Sequence, residues 1–499
     1  MASALLRNSQ NVEREMSTYQ LSLVDTCFEE GQYASGIAVL EQLRSPHLTP
    51  SESHVRQLLY IALYPPPKPA NDKGKEKENS NSPWEPVTPS KHIKQSQKSP
   101  LIPTVQASEA AIRLLKSFVL TNRPASLARA LPECVGVSQW NERLRKIAEE
   151  DDEDCFIARE AICIKEARSV WAILREGKIQ RKVPVSFEPQ AKGKKKQRVV
   201  GFAEEDSGEH DVPAVVGEHA WPLLYWFLLL VERDEDLVEE DGSPRHSPIL
   251  LSQIPPSRTN TGARWEADAL LDVVVYCLEQ YDYPQRKAAG ARLWTALINL
   301  ASTTHINLEL FVTSVHGRLS SLPSIPTDWF SLMLSALPPS ERSARFKIAL
   351  CKEYLTSSAT PMDGSLGLRP AIRPKPQARA MRAARRQGTD GDVNSEDSIM
   401  PSAVADIPVS LVNAYPLPKP EEVLKLLSEA ANNSHPQDQL LKMKFDFLTS
   451  YAFMQGKQPN DNSEWSQMLH DGRVKQAIDQ AFSGQGGTAY ATLSRAVIL

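Results

Sequence analysis

The side chains with the densest chemistry lie in spans that contain few aliphatic residues. Between Lys73 and Pro100 three hydroxyls stand directly before proline, at Ser82, Thr88 and Ser99. Each is a candidate acceptor by the pattern of a proline-directed kinase, and a phosphate there would add nearly two negative charges. Lys77, Glu78 and Asn79 sit in the same span as a compact cation, anion and amide. Further along, Arg181 and Lys182 precede an eleven-residue spacer, then Lys194, Lys195, Lys196 and Arg198. Pro184 and Pro189 keep that spacer extended. Two spaced cation clusters on an extended chain suit acidic and aromatic pockets. A second basic run, from Arg369 to Arg386, contains no acid. Within it Arg379, Arg382, Arg385 and Arg386 could line one side of a basic helix against an anionic partner. It lacks aromatic residues, so stacking on unpaired bases is poorly supported.

Three of these patterns resemble known signals. Lys77-Glu78-Asn79 resembles a KEN-box degron, which activators of the anaphase-promoting complex read. Thr88, followed by proline and then by Lys91 in the third place, is similar to a cyclin-dependent kinase site. The 181–198 segment resembles a bipartite nuclear localisation signal, which importin-α type carriers take. The resemblances imply a nuclear protein regulated through the cell cycle. The competing readings are a solvated spacer for 73–100 and a solubilising charge run or nucleic-acid contact for 181–198. The acidic run Glu204–Asp211 follows at once and would partly neutralise a simple hold on DNA.

Catalytic constellations are not evident. The chain has no GxxxxGK[ST], GxGxxG after a strand, GxSxG or HExxH. Its ten histidines are scattered, and its 22 glycines are too few for folds that cradle phosphates in backbone loops. His219 and His316 read as structural. No catalytic, cofactor-binding or metal-ligating residue is assigned, and the chain is expected not to be an enzyme. The acidic run Glu149–Asp154 reads as a solvated loop or helix start. Six dispersed cysteines without a CxxC pair suggest reduced thiols in the nucleus, with the cytoplasm as the alternative. The first sixteen residues hold no apolar core of a secretory signal. The longest apolar run, Ala220–Val231, is too short to cross a bilayer and predicts a buried helix.

The elements that must position these groups read as helices. No stretch alternates with period two, whereas apolar stripes at helical spacing recur along the chain. The expected fold is all-α, with about ten to fifteen helices arranged as irregular helical-hairpin, α-solenoid-like blocks separated by disordered linkers. Composition places helical blocks at 15–64, 106–182, 219–357 and 419–499. Linkers fall at 65–105, 183–218 (basic then acidic) and 358–418 (basic then acidic). Thr49–Glu52 has the form of a capping box. In Asp268–Tyr281 the spacing puts Leu270, Leu271, Val274, Val275 and Leu278 on one face. Glu29–Leu43 is similar to the middle of one tetratricopeptide unit, with Gly36 where that unit usually has alanine; no second copy is evident. "YPPPKP" (Tyr64–Pro69) and "YPLPKP" (Tyr415–Pro420) match at five of six positions. They read as helix punctuation or as a pair of polyproline ligands.

Together these features predict a nuclear scaffold or adaptor that binds other nuclear proteins in helical grooves, with a chromosome-associated or cell-cycle role. The alternatives are a factor in ribosome or RNA biogenesis or linked to DNA, contacting nucleic acid weakly through the basic linkers, and an enzyme whose site has no recognisable motif.

Overall fold

The computed structural model describes residues 13–66, 101–149, 155–181, 213–257, 262–322, 328–359, 416–429, 436–457, 463–484 and 486–498. The fold is all-α. The N-terminal part contains α1 (Thr18–Glu29), α2 (Tyr33–Leu43), α3 (Glu52–Leu63), α4 (Val105–Thr121), α5 (Pro124–Ala128), α6 (Val137–Glu149), α7 (Phe156–Lys165) and α8 (Val170–Leu174). A 3-10 turn, Glu218–Ala220, leads into α9 (Trp221–Glu240), α10 (Pro248–Ser252), α11 (Asp268–Leu278), α12 (Pro284–Ala301), α13 (Leu308–Ser321), α14 (Trp329–Ser335) and α15 (Glu341–Ala359). The chain closes with α16 (Pro420–Ser428), α17 (Gln437–Lys457), α18 (Ser463–His470), α19 (Arg473–Ala481) and α20 (Gly487–Ile498). Among the described residues the strand content is one parallel two-residue pairing, Arg14–Glu15 with Leu48–Thr49, and one isolated bridge.

The twenty α-helices among the described residues exceed the expected number. The excess comes partly from α5, α8 and α10, each five residues long and too short to show a 3.6-residue period. Helix starts follow local chemistry in most places. Proline occupies the first turn of α5, α9, α10, α12 and α16. Ser17 and Gln20 form a reciprocal capping box at α1. The expected box at Thr49–Glu52 does not form. Thr49 lies in the short strand and donates to Glu13, so α3 begins at Glu52 after Ser51, which makes no side-chain cap.

One apolar cluster runs from Met16 to Ala491. Helices α1 and α2 form a hairpin, and so do α11 and α12. Hairpins account for only part of the packing: α3 packs on α4 and α7, α9 on α4 and α12, and α15 on α12, α13 and α17. The long apolar run is the first half of α9, whose Trp226, Phe227, Leu230 and Val231 are buried. Among the described residues no helix is long and apolar enough to cross a membrane. In α11 the buried face is Leu270, Leu271, Val273, Val274, Cys277 and Leu278, whereas Val275 is only partly covered.

Buried tryptophans join the helices. Trp226 Nε1 donates to the Leu115 carbonyl in α4 at 2.9 Å, and Trp294 Nε1 to the Met333 carbonyl in α14 at 3.1 Å. Gln253 performs a similar task without an apolar face. Its Oε1 accepts from Val170 N at 2.8 Å and its Nε2 donates to the Pro132 carbonyl at 2.8 Å. No disulfide involves any of the six cysteines.

Candidate partner-binding grooves

Helix α4 has two working faces. Ala107, Ala111, Leu114, Leu115, Phe118 and Val119 are buried in the core. The opposite face, carrying Val105, Ser108, Glu109, Ile112, Arg113 and Lys116, lines an open groove of about 790 Å³. These positions follow helical spacing, so α4 is amphipathic toward the core and mixed toward the groove. The other walls are Tyr64, Pro65 and Pro66 leaving α3, Ile102 and Pro103 entering α4, and Arg181, His219 and Pro222.

Both edges of the groove are fixed by hydrogen bonds. Tyr33 Oη donates to the Leu101 carbonyl at 2.7 Å, and Thr104 caps α4 by accepting from Ala107 N at 3.1 Å. Residues 174–176 are tied to 214–217: Glu176 N donates to Ala214 O at 3.1 Å and Gly217 N to Leu174 O at 2.9 Å. The roots of the 67–100 and 182–212 spans therefore meet at one place on the body. Arg113 and Arg181 are exposed. Among the described residues neither they nor Lys116 forms an ion pair. Burial pushes the His219 imidazole down from its ordinary value, against the nearby Glu176 and Glu218 carboxylates. Among the described residues the buried Tyr64 hydroxyl has no hydrogen-bond partner.

A second cleft of about 1070 Å³, with more charged side chains on its lining, lies between α9, α12 and the start of α15. Its charges are mostly satisfied within it. Arg292 holds Glu232 through two bonds of 2.6 and 2.7 Å. Buried Glu235 accepts from Asn299 at 3.2 Å and from Arg245 Nε at 3.2 Å. Burial pushes the Glu235 carboxyl up, and those hydrogen bonds pull it back. Arg342 donates to Asn299 Oδ1 at 3.4 Å and to the Arg245 carbonyl at 3.3 Å.

Beside His219 and Pro222, an aromatic stack reaches the surface. The Arg286 guanidinium lies 4.6 Å from the Trp221 ring and 4.1 Å from the Tyr283 ring, and it pairs with Glu218. Trp221 stacks on Tyr276, and Tyr283 is exposed. Tryptophan, tyrosine and arginine in such clusters are the residue types that dominate binding energy at protein interfaces.

No protein-family model, curated protein or solved structure matches this chain.

Of the residues singled out from the sequence, Arg181 is described, and it lines the first groove. Lys182, Lys194, Lys195, Lys196 and Arg198 lie outside the described residues, as do Lys77, Glu78, Asn79, Ser82, Thr88 and Ser99, and Arg379, Arg382, Arg385 and Arg386. The acidic run from Glu150 to Asp154 lies outside them too. Of the two proline motifs, Tyr64 caps α3 and Pro420 opens α16, which is helix punctuation. The α4 face with Arg113 and Lys116 was not singled out, although the second stripe in "EAAIRLLKSFVL" carried the signal.

A smaller hollow of about 320 Å³ holds His54, Asp25 and Cys155. His54 Nε2 is 2.8 Å from Asp25 Oδ1, but His54 Nδ1 has no partner, so the thiol is not hydrogen-bonded to the imidazole. The Cys-His contact that nucleophilic catalysis uses is not made in this geometry. Among the described residues no group of three or more His, Cys, Asp or Glu side chains could hold a metal ion.

Proposed function

We propose that the chain is a nuclear scaffold or adaptor that takes partner proteins into grooves of a helical body and is regulated through its linkers in the cell cycle. The observation that supports this reading is the groove on α4. It is open, it combines apolar side chains with cations that form no ion pair among the described residues, and it lies where two linker roots meet. Open grooves of this kind with an apolar floor and a few polar groups are the usual form of a recognition site. The test is retention of partners by the tagged full chain in cells. Ile112→Asp, which places a charge on the groove floor, should release a defined subset of co-purifying proteins from a chain that circular dichroism shows to be folded; Ile112 also packs against the core, so a lower unfolding midpoint is expected beside this. Unchanged retention would remove the groove from the binding surface.

Nuclear import is carried by the 181–198 segment in this reading. Replacing Lys194, Lys195 and Lys196 with alanine should shift a tagged chain from nucleus to cytoplasm in images of living cells. Persisting nuclear enrichment counts against it.

A second reading has one observation in its favour. Arg113, Lys116 and Arg181 extend the basic character of the second linker onto the body. A nucleic-acid-associated factor would bind RNA or DNA with a steep salt dependence that flattens when the linker is deleted.

A further inference from the structure

The α4 groove differs from the second cleft in how its charges are used. In the cleft Arg245 meets Glu235, Asp236 and Glu239, and Arg292 meets Glu232. In the groove Arg113, Lys116 and Arg181 form no ion pair among the described residues, and Glu109 is the one carboxylate on its lining. The apolar part includes Pro65, Ile102, Pro103, Ile112 and Pro222, with Val105 left 47% exposed at one end. Apolar surface beside unpaired cations is complementary to apolar side chains beside anions, and the cations fix orientation and speed encounter. The α4 wall from Val105 to Lys116 is about 16 Å long at the helical rise. An extended peptide covers that distance in about five residues.

We propose that this groove binds a short extended segment of a partner protein in which one or two apolar side chains are flanked by aspartate or glutamate. The proposal rests on the scaffold reading and specifies the partner's chemistry. The apolar side chains sit over Ile112 and Pro222, and the carboxylates face Arg113, Lys116 and Arg181.

The experiment uses the full chain and fluorescence anisotropy with a labelled peptide of sequence EEDFLDED. Control peptides are KKRFLKRK, with the charge reversed, and EEDGSDED, without the apolar pair. The acidic apolar peptide should bind, and each control should bind at least about tenfold more weakly. Arg113→Glu with Lys116→Glu should weaken binding about tenfold or more while leaving the thermal unfolding curve unchanged, because both side chains stand on the groove face of α4. Raising salt from about 50 to about 200 mM should weaken the acidic peptide and spare the dependence on the apolar pair. Equal binding of the acidic and basic peptides, or no effect of the double charge reversal, overturns the proposal. Displacement by a uridine octamer at equal concentration overturns it in favour of nucleic acid. Binding that appears only when residues 204–211 are deleted overturns it in favour of the chain's own acidic run as occupant. Failure of this proposal is separable from failure of the scaffold reading. If Ile112→Asp releases cellular partners and the double charge reversal does not, the groove stands and the acidic chemistry falls. If neither variant alters retention, the groove reading falls as well.

Discussion

Gly36 faces Phe28 across the α1–α2 hairpin. A methyl group on Gly36 would lie 2.5 Å from the Phe28 ring, closer than carbon atoms approach. Phe28 is fully buried between α1 and its neighbours, so the ring has little room to move. The close approach of the ring leaves room at position 36 for glycine alone. Gly36→Ala should destabilise the chain by about 1–3 kcal/mol despite the better helix propensity of alanine. Chemical denaturation checks this. A midpoint equal to or above the parent's would mean that the hairpin opens to accept the methyl. Gly290 makes the same kind of contact between α11 and α12, with a methyl carbon placed 2.7 Å from Cys277 Cβ.

At the scale of elements, several helix ends are finished by side chains far away in sequence. Ser169 precedes α8 but its side chain makes no cap. The first α8 amide, Val170 N, is satisfied instead by Gln253 from the end of α10. At α16 the terminal carbonyls of Leu427 and Glu429 accept from the buried Lys444 ammonium of α17, at 2.6 and 3.0 Å. Burial pulls the Lys444 pKa down, with the Glu429 carboxylate opposing. Gln253→Leu keeps the bulk and removes both partners, leaving Val170 N and the Pro132 carbonyl unsatisfied. A loss of about 1–3 kcal/mol per stranded group is expected in denaturant titration, more than an exposed glutamine would cost. A loss below about 0.5 kcal/mol would show that water reaches both groups.

At the scale of the whole molecule, stability is expected to depend on pH through two half-buried imidazoles far apart in the sequence. His219 stands in the turn before α9, and His305 follows α12 with its ring 5.3 Å from that of His246. Burial pushes both His219 and His305 down; for His305 the nearby His246 and Arg264 add to it. The folded chain therefore holds them neutral where the unfolded chain takes up a proton, at about pH 6.5. Stability from this source is complete above that value and is lost as pH falls toward the depressed folded values. Thermal unfolding midpoints should drop between about pH 7.5 and about pH 5.5. The double variant His219→Gln and His305→Gln should show a smaller drop, and an equal drop would assign the acid sensitivity to other groups.

The sequence by itself determined the all-α class and the longer helices. Apolar residues at a 3.6-residue period and prolines in first turns act on the chain within one or two turns, so they are legible without the fold. The buried α9 run and the punctuation at Pro420, which opens α16, were legible for that reason. Thr49–Glu52 misled because a competing partner was out of local range: Thr49 is drawn into a strand pairing and a contact with Glu13. On α11 the exchange of Val275 for Val273 and Cys277 on the buried side was decided by how α12 packs against it. Only the tertiary structure showed that α4 carries a groove on its second face. The period marks two stripes there, but which stripe is covered depends on α2, α3 and α9 arriving from other parts of the chain. The same holds for the charges. Lys444 and Arg113 look alike as single cations in a helical sequence. One is buried against the end of another helix and the other stands on a groove wall with no ion pair among the described residues, because through-space neighbours and not sequence neighbours satisfy a charge.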